Sequence, residues 1–189
     1  MSAKSSSLPP ALLSAIKDQR AVLFLGAGAS LEARDRNRKK PPTGDGLRDL
    51  ICDKFFEGSY KDYDLASASE FAFEQHGNLV VNEFIKNIFE PFLPSKPHLS
   101  IPNFKWAAIA TTNYDTLIEK SYKAKTHPLQ TPVSFVSNQD PVDIRMRAVE
   151  NSVEYLKLHG CIERAHDVNL PLILSVDSYD LSYPRKFGQ

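Results

Sequence analysis

Short apolar runs alternate along this chain with longer segments whose apolar residues recur every three or four positions. The run Ala21-Val22-Leu23-Phe24-Leu25 is too short for a helix of its own and reads as a buried parallel strand. Ahead of it, Leu12, Leu13 and Ile16 lie at helical spacing and predict a helix over residues 9–19. After it comes a polar stretch rich in Arg and Lys, residues 32–42, read as a loop. Helical spacing returns three times: over 47–56 (Leu47, Leu50, Ile51, Phe55), over 65–75, and over 79–89 (Phe84, Ile85, Ile88, Phe89). Pro91, Pro94, Pro97 and Pro102 then predict an irregular connection, because proline ends helices and withholds a backbone donor.

A second core strand is predicted over residues 106–111. Asp115 or Thr116 is placed to cap a helix running through Tyr122. Further strands are predicted at 133–137, 153–158 and 172–175. This alternation of helices and strands argues an α/β fold. Residues 1–8 read as a disordered tail, and 9–189 as one domain.

Composition narrows the function classes without choosing one. The 189 residues are 42% apolar and 24% charged, ordinary for a globular domain with a real core. A formal net charge of +0 supplies no global field toward nucleic acid or anionic lipid, so direct nucleic-acid binding is not expected. The Ser-rich start is interrupted by Pro9 and Pro10 and does not read as a signal peptide, and no apolar stretch is long enough to span a membrane. Cys52 and Cys161 alone cannot build a disulfide framework or a four-cysteine zinc site, so a reducing cytoplasm is the simplest compartment and no metal is expected.

Candidate chemistry gathers at three strand ends. Gly26-Ala27-Gly28-Ala29-Ser30 follows the first strand, Thr111-Thr112-Asn113-Tyr114-Asp115 the second, and Lys157-Leu158-His159-Gly160 a later one. In a parallel sheet such ends share one edge, where α/β folds bind ligands. Gly26 and Gly28 suit a turn that lets a pyrophosphate approach backbone amides, with Ser30 capping the next helix or donating to a phosphate. Leu31 stands where a full dinucleotide fingerprint has a third glycine, so a plain strand-to-helix turn stays open. Asn113 and Asp115 fit helix capping as well as the orientation of a water or ribose hydroxyl. His159 ends an apolar strand before a glycine, and an imidazole titrating near 6.5 suits proton transfer. The other four histidines sit in polar or proline-rich context, and Cys161 reads as a small apolar filler. The basic run Arg34, Arg36, Arg38, Lys39 and Lys40 reads as a solvated loop from which one arginine reaches toward a phosphate.

In their order and strand context, GAGAS, TTNYD and KLHG resemble the Sir2 superfamily, from about Val22 to about Tyr179. The resemblance is closer to its zinc-free bacterial NAD-consuming branch than to the protein deacylases, which carry a four-cysteine zinc ribbon. It implies a Rossmann-like parallel sheet flanked by helices, with a helical insertion after the first strand. It implies NAD as substrate and Gly26, Ala27, Gly28, Ser30 and Asp115 as NAD-binding residues, Asp115 lining the nicotinamide pocket. It implies Asn113 and His159 as catalytic residues, His159 as general base. The implied activity is NAD hydrolysis to nicotinamide and ADP-ribose in antiphage defence, with a sensing domain, partner protein or homo-oligomer restraining it. An NAD-dependent deacylase and a non-catalytic nucleotide-binding module remain the alternatives. The adenosine-binding strand usual in the family does not appear before Gln189.

Overall fold

The computed structural model describes residues 9–136, 141–167 and 172–174. Helix α1 (Pro10–Lys17) precedes strand β1 (Val22–Leu25), which runs into a single helical turn, α2 (Ala27–Ser30). The polar segment 32–42 is a loop, as its composition predicts. Three helices follow: α3 (Gly44–Phe55), α4 (Leu65–His76) and α5 (Asn78–Phe89). Thr43 starts α3 by accepting the Gly46 amide, and Asp64 starts α4 by accepting that of Ser67, each relieving an orphan donor of the first turn. Gly77, with φ +79°, makes the sharp junction between α4 and α5.

The proline-rich connection is more regular than its composition suggests. It holds α6 (Lys96–Ser100) and a 3-10 turn (Ile101–Asn103). Pro97 and Pro102 sit in the first turn of each, where a missing N–H removes no intrahelical bond. Strand β2 (Ala108–Thr111), helix α7 (Leu117–Lys123) and strand β3 (Thr131–Phe135) follow. Helix α8 (Val142–Arg147), which no apolar spacing announced, and strand β4 (Ser152–Lys157) complete the unit.

All four strands are parallel, in the order β1-β2-β4-β3. The chain passes from β2 to β3 over α7 and returns over α8 to place β4 between them. The α/β expectation therefore holds, with helices inserted between the first two strands. Along one face Leu23, Ile109 and Tyr155 lie in register, and Ile118 and Tyr122 of α7 pack over them with Val153. A second core joins Leu47 and Ile51 of α3, Ala72 of α4, and Val81 and Ile85 of α5 to Ile162, Leu172 and Leu174.

Two strand expectations are corrected. β1 is parallel but not fully buried: Val22 and Phe24 are 60% and 61% exposed, because among the described residues β1 is an edge strand with one face uncovered. Leu172, Ile173 and Leu174 are buried but form no strand; the backbone of Ile173 ties instead to His159, through its amide, and to the Tyr114 hydroxyl, through its carbonyl. The disordered-tail expectation and Ser137 and Ser175 lie outside the described residues.

Ile85→Ala should destabilise by about 2–5 kcal/mol, since Ile85 is 0% exposed in the helical core. Ile144→Ala, at 73% exposure, should stay within about 0.5 kcal/mol. Urea unfolding of both variants checks the ordering.

Candidate active site

The adjacent strands β1, β2 and β4 end at one level, with Leu25 opposite Thr111 and Thr111 opposite Lys157. The segments beyond them are thereby delivered to one edge. Thr111 is 2% exposed; its hydroxyl donates to the Leu25 carbonyl (3.1 Å) and accepts the Asn113 amide (3.0 Å). The Thr112 amide also reaches the Leu25 carbonyl, at 3.2 Å. These bonds hold the loop after β2 against the turn after β1.

A polar chain then runs between the two segments. The Asn113 side-chain amide donates to the Gly26 carbonyl and to Ser30 Oγ, both at 3.0 Å. Ser30 in turn donates to Asp115 Oδ2 at 2.6 Å, and Asp115 Oδ1 accepts the Leu117 amide at 3.0 Å. With both amide hydrogens engaged, what Asn113 can offer a ligand is its carbonyl oxygen. Ser30 has one hydroxyl hydrogen, and it points to Asp115. Ser30 therefore links Asn113 to Asp115 here, rather than capping a helix or facing a phosphate. Asp115, rather than Thr116, supplies the side-chain bond at the start of α7. Its carboxylate has about four lone-pair positions, so two hydrogen bonds leave room to accept a ligand N–H.

His159 follows β4, and Gly160 at φ +91° allows the chain to reverse there, as the His-Gly pair suggests. The Ile173 amide donates to the His159 carbonyl (3.0 Å), and Tyr114 Oη donates to the Ile173 carbonyl (3.0 Å). His159 is half-buried, and that burial lowers its pKa below the ordinary 6.5. At neutral pH the ring is uncharged, the form a proton acceptor needs.

Ala27, Ser30, Asn113, Asp115 and His159 all line one cavity of about 220 Å³. Five of the seven residues singled out for the site thus converge. Gly26 and Gly28 stand beside it without lining it. A side chain at Gly28 would meet nothing within 4 Å, so the space over the turn is open to an approaching group.

None of the five basic loop residues lines the cavity. Arg34 instead donates to the Leu31 and Ala33 carbonyls, and the other four are exposed. Cys161 is 3% exposed and burial raises its pKa, which keeps the thiol protonated and unreactive.

Sequence reasoning missed the apolar wall. Leu47, Leu65, Phe89 and Tyr114 also line the cavity, with Phe89 and Tyr114 packed edge to face at 6.3 Å. Helical spacing marks Leu47 and Phe89 as core-facing but says nothing of a void beside them. His98 was also passed over: it is 3% exposed, with Nδ1 2.7 Å from Ser95 Oγ. Among the described residues, no three His, Cys, Asp or Glu side chains cluster as metal ligands. No described helix is long and apolar enough to cross a membrane.

A Rossmann-like parallel sheet carrying these three segments on one edge is what the resemblance to the Sir2 superfamily implies. Comparison with known proteins agrees: residues 107–188 match the family model of the SIR2-like domain. That span holds the TTNYD and KLHG segments. The NAD(+) hydrolase ThsA of Cytobacillus dafuensis is 26% identical over 170 residues, covering 89% of this chain and 31% of that protein. The chain thus spans about a third of the length of that relative. The resemblance to Sir2-like NAD hydrolases drawn from the three motifs therefore holds.

Burial also lowers the His98 pKa, against the opposing charges of Asp115 and Glu32. For His159 and His98 alike, the unfolded chain binds protons at a higher pH than the folded one. Their contribution is fully present above about 6.5 and should fall as pH drops below it. Urea midpoints from pH 7 to pH 5.5 should decline, and less steeply in His98→Gln and His159→Gln. Unchanged slopes in both variants would contradict the assignment.

Proposed function

We propose that this chain hydrolyses NAD to nicotinamide and ADP-ribose, with Asn113 and His159 as its catalytic residues. The observation that carries the reading is the convergence of Asn113, Asp115 and a neutral His159 on one cavity at the ends of adjacent parallel strands. The hydrolase activity of the ThsA relative supports it.

The chemistry follows from the donors and acceptors present. Asp115 accepts the amide N–H of the nicotinamide group, and Ser30 holds that carboxylate in place. The bond between nicotinamide nitrogen and ribose C1′ breaks with its electron pair going to nitrogen. Nicotinamide leaves neutral, so no acid is needed at the leaving group. The positive charge passes to the ribose, as in glycoside cleavage. Asn113 Oδ1 accepts a hydrogen of the attacking water and fixes its position. The water oxygen bonds to C1′ and its proton goes to His159. The turn after β1 lies open at Gly28 for the pyrophosphate, with the Ala27 and Gly28 amides leading α2.

A cavity of about 220 Å³ is smaller than the roughly 300–1,000 Å³ usual for a ligand site. It suits the nicotinamide end of a dinucleotide. We therefore infer that these residues bind NAD weakly on their own and turn it over slowly. Full activity then requires the adenosine half to be held by more protein, in the same chain, a partner or a second copy. Remote contacts of that kind hold a reacting bond in place. A role as the NAD-depleting effector of antiphage defence in a cytoplasm fits this dependence on a regulating partner.

The test is release of free nicotinamide from NAD, with and without an acetyl-lysine peptide. Release without peptide is expected; release only with peptide would assign a deacylase instead. His159→Ala and Asn113→Ala should each lower the rate by about 100-fold to 10,000-fold, with NAD binding largely kept in the histidine variant. Cys161→Ser should be mild. Near-normal release by His159→Ala would remove the base assignment.

The dependence on further protein is checked by calorimetry on a monodisperse monomer. Weak NAD binding is expected there. Micromolar affinity with brisk hydrolysis and no partner would refute it.

A further inference from the structure

Lys157 carries a charge into the interior, and the proposed reaction has no use for it. Its side chain is 0% exposed. The ammonium donates to the Asp115 backbone carbonyl at 2.6 Å and to Glu119 Oε1 at 2.8 Å, and lies 5.5 Å over the Tyr155 ring. Burial alone would lower its pKa. Glu119 and Cys161 beside it together outweigh burial, so Lys157 stays charged.

An ion pair of this kind is a weak device for stability. Burying each charge costs several kcal/mol, and apolar residues of similar volume often do as well or better in such places. Glu119 is not even fully satisfied, since its Oε2 is buried without a hydrogen-bond partner among the described residues. What an apolar side chain cannot do is donate to the Asp115 carbonyl.

That bond has a consequence for the site. Lys157 is fixed in β4, opposite Thr111, two residues before His159. Asp115 is held by its side chain to Ser30 and by its backbone to Lys157. The loop carrying Asn113 and Asp115 is thus tied to the strand that carries His159. We propose that Lys157 is a positioning residue: it sets the height of the Asn113–Asp115 loop relative to His159, with Glu119 as its counterion. The kinetic part rests on the NAD-hydrolase reading; the structural part does not.

Two variants separate positioning from stability. Lys157→Met with Glu119→Leu removes both charges and the bond to Asp115. It should unfold near the wild-type temperature. Its kcat should fall by about 100-fold with KM changed less than about threefold, as expected when reacting groups are misplaced but binding survives. Amide exchange in a peptide covering residues 112–117 should rise by about tenfold, with the strands unchanged.

Glu119→Gln keeps the Lys157 bond to Asp115 while leaving a buried cation poorly compensated. It should lose stability yet keep its loop protection, and its kcat should stay within about threefold of wild type. A merely structural pair would move stability and rate together in both variants. Wild-type kcat and loop exchange in the double variant would overturn the proposal. So would a loss of kcat in Glu119→Gln as deep as that of the double variant. If the double variant does not fold, a loss of kcat of about 100-fold in folded Glu119→Gln, whose Lys157 bond to Asp115 is kept, overturns the proposal, and a kcat within about threefold with loop protection kept supports it. If wild type releases no nicotinamide, the hydrolase reading fails, and loop exchange alone decides the role of Lys157.

Discussion

Three neighbouring strands end at the same height because their backbones pair in one parallel register, Leu25 beside Thr111 and Thr111 beside Lys157. Every polar group of the site is placed within a few residues of those pairs. A slip of one residue would send alternate side chains to the opposite face of the sheet. Tyr155 and Ile109 would then leave the core they share with Ile118 and Tyr122. The apolar face thus protects the register, and the register protects the site.

Above the strand ends the structure changes from apolar packing to hydrogen bonding. Thr111, Asn113, Ser30 and Asp115 form one continuous polar chain from the Leu25 carbonyl to the first turn of α7. Such a network is costly if incomplete, because a buried polar group without a partner loses its hydration for nothing. Here each member is both held and holding. The few groups left with spare capacity, Asn113 Oδ1 and the Asp115 carboxylate, belong to residues that line the cavity together with His159. Preorganisation of this kind leaves little to rearrange when a ligand arrives.

Much of this was legible in the chain. Short apolar runs against helical spacing gave the α/β class, and three polar segments after apolar runs marked the sheet edge where the cavity lies. Five of seven chosen residues line the cavity, because chemistry in a parallel sheet concentrates where strands end. Other features were not legible. Val22 and Phe24 read as buried because they are apolar, but burial depends on neighbours that β1 does not have among the described residues. The wall of Leu47, Leu65 and Phe89 comes from helices whose spacing reveals a core-facing side without its partner.

The sequence by itself determined the local choices: which runs extend, which coil, where glycine permits a reversal at Gly160, and which polar side chains stand at the strand ends. These follow from periodicity and backbone sterics, which act over a few residues. Only the tertiary structure decided that β4 enters between β2 and β3, which brings His159 to the same cavity as Asn113. Only it decided that Ser30 turns its hydrogen to Asp115, and that Lys157 is an internal tie rather than a surface lysine. These depend on contacts 42 to 85 residues apart, whose energies exist only once the chain has closed on itself.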